Sequence, residues 1–231
     1  MQQFHIGEYG KRNQPVVLLF GGWTYQPWLL GFFGWLLALR GFYCVAYTYD
    51  DDVFSPDYKK TVASLLGIKN AVLEHIEALR AGGRDTFYVV GTSLGTVLAT
   101  LVANESPYVS KVVLNTTGAD VAKSVWNWDR VKPWFKNKLL KQGLTEKDLS
   151  EHWKPISPAY NLKNLKRKPT LVYLAQQDQT IPFDQGRVLV SRLDVLGVPY
   201  EVVISRNLGH AAAGLLNLLR VGKYAKFLRQ E

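Results

Sequence analysis

Residues 86–95 read TFYVVGTSLG, and this stretch decides how the rest of the chain is interpreted. Residues 86–91 form an apolar run typical of a buried strand, and a helical pattern starts at Ser93. Between them lies the pattern G-x-S-x-G, in which a serine sits on a sharp strand-to-helix turn and its hydroxyl projects above a sheet. Gly91 and Gly95 let the helix and strand approach without clashes of Cβ atoms. Ser93 is therefore a candidate nucleophile; the alternative is a glycine-rich turn in which Ser93 only caps the helix.

The segments around this stretch alternate between strand-like and helix-like patterns. The predicted strands are residues 4–9 (a short edge strand), 15–20, 42–49, 86–91, 110–115, 170–175 and 200–205. The predicted helices are residues 28–39, 58–79, 93–104, 184–196 and 210–228. Such alternation predicts an α/β fold with a mostly parallel central sheet of about six strands and helices on both faces.

Residues 119–168 break this rhythm. We expect a small, mainly helical lid inserted after the strand that ends near Asn115, with residues 1–118 and 169–231 forming the core domain. Twelve Lys or Arg and five acids give the insert a charge of +7, most of the net +9 of the chain. Four of the seven tryptophans also lie there.

Two interpretations of this basic, tryptophan-rich insert stay open. In the first, it covers the core and its lysines form a solvated face. In the second, Trp126, Trp128 and Trp134 line a substrate pocket, and the lysines attract the negative end of an amphipathic or anionic substrate.

A serine nucleophile needs a base and an acid that orients the base. Of the four histidines, only His210 follows the last predicted strand. Asp178 directly follows the strand at residues 170–175, at the sheet edge where sites of open α/β folds lie. Asp184 is the alternative acid, although it resembles the cap of the next helix.

The order Ser93, Asp178, His210, each after its own strand, resembles the α/β-hydrolase superfamily, in particular its serine esterases and lipases. The resemblance implies that these residues form a catalytic triad and that the amide of Leu94 contributes to an oxyanion hole. It also implies a second amide from the loop at residues 20–23, supplied by Trp23 or Gly22. This loop departs from the family pattern because it contains no histidine.

The resemblance implies an acyl-enzyme mechanism on a small-molecule ester, so a carboxylesterase acting on an apolar or amphipathic substrate is the first expectation. A lactonase, a thioesterase or an acyltransferase could use the same triad. A non-catalytic binding protein of the same fold is a further alternative.

We expect no cofactor and no metal, because one cysteine and four scattered histidines show no ligand spacing and no phosphate or dinucleotide motif occurs. The pI of about 9.5 could attract nucleic acid, yet no recognition motif accompanies it, so no nucleic-acid partner is expected. The single cysteine and the polar start of the chain favour a cytoplasmic protein.

The helix at residues 28–39 is apolar on all sides, which predicts burial around most of its circumference. The insert, a second subunit or transient contact with a membrane surface could cover it, and the oligomeric state stays open.

Overall fold

A computed structural model describes residues 4–129 and 132–230 of the chain. Arg130, which belongs to the basic residues counted in the insert, lies outside the described residues, as do residues 1–3 and 231 at the ends of the predicted core domain.

The described residues form a seven-stranded sheet in the order β1-β3-β2-β4-β5-β6-β7. The strands are β1 (Phe4–Tyr9), β2 (Val16–Phe20), β3 (Tyr43–Tyr49), β4 (Phe87–Thr92), β5 (Val109–Asn115), β6 (Thr170–Ala175) and β7 (Tyr200–Ser205). Only the β1 pairing with β3 is antiparallel. The predicted mostly parallel sheet is therefore confirmed, and its interior strands are continuous apolar runs because both faces are covered.

Helices cover both faces of the sheet. They are α1 (Pro27–Ala38), α2 (Tyr58–Ala81), α3 (Leu94–Glu105), α4 (Val121–Trp126), α5 (Pro133–Leu140), α6 (Glu146–Trp153), α7 (Phe183–Val195), α8 (His210–Leu218) and α9 (Val221–Arg229). Helices α2, α3 and α7 share one apolar core with the sheet. Helices α1, α8 and α9 share a second core on its other face.

The end of the chain differs from the prediction of one helix over residues 210–228. The structure has two helices, α8 and α9, because the chain turns at Leu219 and Arg220. The carbonyl of Arg220 accepts hydrogen bonds from the amides of Lys223 and Tyr224, which start the second helix.

Between β5 and β6, residues 119–168 form α4, α5, α6 and short 3-10 helices. Phe135, Leu149 and Trp153 are fully buried, so the insert packs onto the core. None of the helices in residues 4–129 and 132–230 combines the length and the apolar character needed to cross a membrane.

Helix α1 is buried on one side only, which differs from the predicted burial around most of its circumference. Leu30, Phe33 and Leu37 pack against the core. Trp28 is 70% exposed and Leu39 64% exposed, so the insert does not cover this side of the helix. Of the three covers that we considered, a second subunit and a membrane surface remain.

Helix α3 approaches the sheet closely at its first turn. A Cβ atom on Gly95 would lie 2.1 Å from the carbonyl oxygen of Phe20, and one on Gly91 would lie 2.3 Å from that of Gly95. Both oxygens belong to backbone, which cannot move aside cheaply. The two glycines therefore set the distance between α3 and the ends of β2 and β4.

We expect Gly95→Ala to lower the free energy of unfolding by about 1–3 kcal/mol, because the methyl group forces α3 away from the sheet. Gly67→Ala is the matched control: Gly67 is an exposed position inside α2, and a Cβ there meets no atom within 4 Å. This control should gain about 0.5–1 kcal/mol from the better helix propensity of alanine. Urea unfolding of both variants checks the pair, and equal stabilities would show that the close approach is unimportant.

Candidate active site

Ser93 lies between the end of β4 and the start of α3. Its φ of 54° and ψ of −121° are unusual for a residue with a side chain. The amide of Ser93 donates a hydrogen bond of 2.9 Å to the carbonyl of Asn115, and its own carbonyl accepts one from the hydroxyl of Thr96. These contacts hold a strained turn, and strain of this kind is common where a side chain must be presented to a ligand.

His210 is the first residue of α8 and follows the loop after β7. Its Nε2 lies 2.8 Å from Oγ of Ser93, and its Nδ1 lies 2.7 Å from Oδ2 of Asp178. An ionised carboxylate can only accept, so Nδ1 donates to Asp178 and Nε2 is left to accept the hydroxyl proton of Ser93. The structure thus brings together the three residues predicted as nucleophile, base and acid.

The carboxylate of Asp178 is held from both ends. Its Oδ1 accepts hydrogen bonds of 2.8 Å from the amides of Thr180 and Ile181, and its Oδ2 faces His210. Its side chain is only 2% exposed. Asp184, the alternative acid, is an exposed residue in the first turn of α7 rather than its cap, because Pro182 holds the cap position.

Asn115 connects the nucleophile to the helix of the base, a role that the sequence analysis did not predict. Besides its backbone contact with Ser93, its side-chain amide donates to the carbonyl of Gly214 in α8. The side chain of Asn217, also in α8, donates to Oδ1 of Asn115. Both asparagines are fully buried, and a polar residue inside an otherwise apolar strand or helix was the signal that could have indicated this role.

A cavity of about 430 Å³ opens onto Ser93 and His210. Its walls come from the loop after β2, from α3, from the insert and from α8. Large apolar side chains dominate the lining. They include Trp23, Tyr25, Leu29, Phe54, Leu94, Val97, Val121, Val125, Trp128, Ile181 and Leu215.

Two stacked indoles form part of this lining. The rings of Trp23 and Trp128 lie 6.0 Å apart and nearly parallel, at 10°. Each indole N–H is already used, by the carbonyl of Asp51 and by that of Thr180 respectively. The indoles therefore present apolar faces to the cavity, and Trp128 also ties the insert to the loop of Asp178.

The other two tryptophans predicted to line a pocket lie elsewhere. Trp126 is half-buried against the core and Trp134 is 48% exposed; neither is part of the cavity lining. Trp134 is the second residue of α5, and the ammonium of Lys138 lies over its ring. Of the three, only Trp128 faces the cavity.

Besides His210, the described lining of the cavity contains one acidic and one basic side chain, Asp120 and Lys132. Both carboxylate oxygens of Asp120 accept hydrogen bonds, from the start of α4 and from the hydroxyl of Ser150. The ammonium of Lys132 lies 3.6 Å from the centre of the Trp23 ring. Burial lowers the pKa of Lys132, and the negative charge of Asp51 counters part of that effect.

Two of the three residues suggested for an oxyanion hole line the cavity. Leu94 and Trp23 contribute to its lining, whereas Gly22 does not. Within residues 4–129 and 132–230, no protein acceptor takes a hydrogen bond from the amide of Leu94 or of Trp23. Because Trp23 lines the cavity and Gly22 does not, Trp23 is favoured over Gly22 as the second donor.

Comparison of the fold with solved structures gives hydrolases at low sequence identity. An acylaminoacyl peptidase from Pyrococcus horikoshii matches all of this chain with a TM-score of 0.72 and 16% identity, and the match spans 43% of that chain. An esterase from Exiguobacterium antarcticum matches 98% of this chain and 96% of its own, with a TM-score of 0.61 and 13% identity.

An α/β hydrolase from a Medee basin deep-sea metagenome library is similar over 99% of this chain and 94% of its own, with a TM-score of 0.61 and 15% identity. This chain therefore spans less than half of the peptidase but nearly all of the two smaller hydrolases. At such identities the likeness shows the α/β-hydrolase fold alone. No curated protein matches the sequence.

Residues 69–230 match the model of the prolyl oligopeptidase family, peptidase S9. The matched segment includes Ser93, Asp178 and His210 and covers more than half of the chain. The chain therefore belongs to the prolyl oligopeptidase family within the α/β-hydrolase superfamily.

Proposed function

We propose that this protein hydrolyses carboxylic esters through an acyl-enzyme intermediate, with Ser93, His210 and Asp178 as the triad. The observation that carries the proposal is the apolar cavity that opens onto the Ser93 hydroxyl. An apolar or amphipathic acyl or alcohol group fits such a lining, because its burial against Trp23 and Trp128 removes apolar surface from water.

In this mechanism His210 removes the proton of the Ser93 hydroxyl while Oγ attacks the ester carbonyl. The amides of Leu94 and Trp23 donate to the resulting oxyanion. The tetrahedral intermediate collapses, the C–O bond to the alcohol breaks, and His210 gives its proton to the leaving oxygen. Water, activated by His210, then attacks the acyl-enzyme and releases the acid. Asp178 keeps the imidazole in the tautomer that each step needs.

Peptide hydrolysis is the second candidate, and the family match favours it. The cavity offers less support. A free peptide amine would need a carboxylate partner. Both oxygens of Asp120, the one acid in the described lining of the cavity, already accept protein hydrogen bonds. A peptide backbone would also need several hydrogen-bonding groups that a lining of tryptophans, leucines and valines does not supply.

The two candidates are separated by rates on matched substrates. We expect p-nitrophenyl esters, in a series from acetyl to palmitoyl, to have higher kcat/KM than p-nitroanilides of short peptides. A preference for the anilides, with esters cleaved only slowly, would replace the ester proposal with the peptidase one.

We expect Ser93→Ala to lower kcat on the preferred ester by on the order of 10⁴-fold, because it removes the hydroxyl that lies beside the base His210. Circular dichroism should show an unchanged fold. A fluorophosphonate probe should label the wild type and leave the alanine variant unlabelled. Retention of more than a tenth of the activity would rule out Ser93 as the nucleophile.

We expect Asp178→Asn to lower kcat by on the order of 10³–10⁴-fold, because an amide can donate to Nδ1 of His210 and favour the wrong tautomer. Asp184→Asn is the matched control, since it removes the same charge from an exposed position beyond the same strand. Its kcat should stay within about twofold of the wild type. Equal losses in the two variants would contradict the assignment of the acid.

We further propose that Lys132 receives a carboxylate at the far end of the substrate. Its ammonium borders the cavity over the Trp23 ring, and the carboxylate of Asp120, the one acid in the described lining, is hydrogen-bonded elsewhere. A half-buried cation attracts an anion more strongly than an exposed one, because less water screens it. This rests on the ester proposal and concerns only the choice among esters.

We expect Lys132→Met to lower kcat/KM for carboxylate-bearing esters by about tenfold and to leave neutral esters of the same length unchanged. Lys138→Met is the control: it removes the same charge from an exposed position of the insert. If the two variants lose selectivity equally, the effect is long-range attraction by the whole insert. In that case, added salt should abolish it in both.

A further inference from the structure

One surface of the molecule is apolar and has no role in the proposed chemistry. We call it the α1–α8 face and define it by the exposed large side chains of these helices and their C-terminal ends. Those side chains are Trp28, Phe32, Trp35, Leu39, Leu215, Leu216 and Leu219, between 42% and 70% exposed. So many large apolar groups side by side are unusual on a soluble surface and indicate a binding site.

The two helices meet in a groove between their exposed sides. It is lined by Trp28, Leu29, Phe32, Phe33, Leu36, Leu215, Leu218 and Leu219. Every one of these side chains is leucine, phenylalanine or tryptophan. Helix α1 contains no charged residue, and α8 contains only His210, which faces the catalytic cavity. Such a groove offers almost nothing to a partner that needs hydrogen bonds.

Positive charge adjoins this face. Arg40 follows α1, Arg220 lies just before α9, and Lys223 lies in the first turn of α9. All three are exposed. The guanidinium of Arg40 lies 3.5 Å from the position of a Cβ on Gly222, so the ends of α1 and α8 share one basic edge.

The two segments that supply helices α1, α8 and α9 contain no acid among their described residues. Residues 9–49 and 206–230 together hold eight Lys or Arg and neither Asp nor Glu. The α1–α8 face therefore lies within a positively charged part of the chain, separate from the basic insert.

We propose that the α1–α8 face docks onto an anionic lipid bilayer. Its aromatic and leucine side chains would enter the boundary between headgroups and acyl chains, where tryptophan is favoured, and Arg40, Arg220 and Lys223 would contact lipid phosphates. Docking would place the helices in the plane of the surface.

Charge favours a bilayer over a second copy of the chain. In a two-fold dimer the same patch meets itself, which brings two basic edges of equal sign together. An anionic bilayer instead supplies the opposite charge and needs no directional hydrogen bonds.

The face also adjoins the catalytic cavity. Leu29 and Leu215 line both the groove and the cavity that holds Ser93. An apolar molecule leaving the bilayer through the groove would thus reach the cavity along a continuous apolar path. Docking itself does not depend on which bond the enzyme cleaves.

Cosedimentation of the full chain with vesicles tests the proposal. We expect binding to phosphatidylcholine vesicles that contain about one quarter phosphatidylglycerol, with weaker binding to pure phosphatidylcholine and at high salt. The double variant W28Q/W35Q should lower the partition coefficient about tenfold or more. The double variant R40Q/K223Q should reduce binding only to the anionic vesicles.

The matched control is V188Q/V195Q, which changes two exposed apolar residues of α7 on the opposite face of the sheet. It should bind vesicles like the wild type. Circular dichroism and thermal unfolding of each variant exclude misfolding, because all the changed side chains are exposed.

Three results would overturn the proposal. The first is no binding to anionic vesicles, and the second is an equal loss in the control variant. The third is a wild-type dimer in light scattering that W28Q/W35Q converts to a monomer, which would assign the face to a second copy. Ester hydrolysis of a soluble substrate is measured separately, so failure here leaves the proposed function untouched.

Discussion

The close contact between the first turn of α3 and the ends of β2 and β4 is the constraint on which the site depends. With a Cβ on Gly95 only 2.1 Å from the Phe20 carbonyl, the two backbones can meet only because both elbow glycines lack side chains. This contact forces the φ of Ser93 to 54° and lifts its hydroxyl above the sheet. Since the strands are parallel, the loops after β6 and β7 open at the same edge, and they bring Asp178 and His210 to that hydroxyl.

Most of the fold and the three triad positions follow from the sequence, and the reasons are local. Buried parallel strands are continuous apolar runs, so β2, β4 and β6 are recognisable without knowledge of their neighbours. Ser93 and Asp178 closely follow such runs, whereas His210 lies five residues after the partly exposed edge strand β7. The contact of Lys132 with Trp23 is different: it joins residues far apart in the chain, and no local pattern indicates which lysine of the insert turns inward.

Two features of the structure show what composition leaves undecided. Helix α1 is apolar on all sides, yet only the packing of the sheet determines that Leu30 is buried and Trp28 exposed. Lysines of the insert are not all part of a solvated face either. Lys168 is buried and donates to the carbonyls of Ala103 and Ser106 at the end of α3, and burial lowers its pKa to about 8. Partners for such an ammonium can only be found once the elements are placed.

Helix α8 contributes both to the catalytic cavity and to the α1–α8 face, and its hydrogen bonds explain how it can do so. Its first residue is the base, while Leu215 and Leu216 face outward. Asn115 holds the middle of the helix through Gly214, and Asn217 holds its end through Asn115. The carbonyl of Asn115 also accepts a hydrogen bond from the amide of Ser93. These buried hydrogen bonds therefore fix the distance between the base His210 and the nucleophile Ser93. A partner can therefore bind to Leu215 and Leu216 of α8 without increasing the distance between His210 and Ser93.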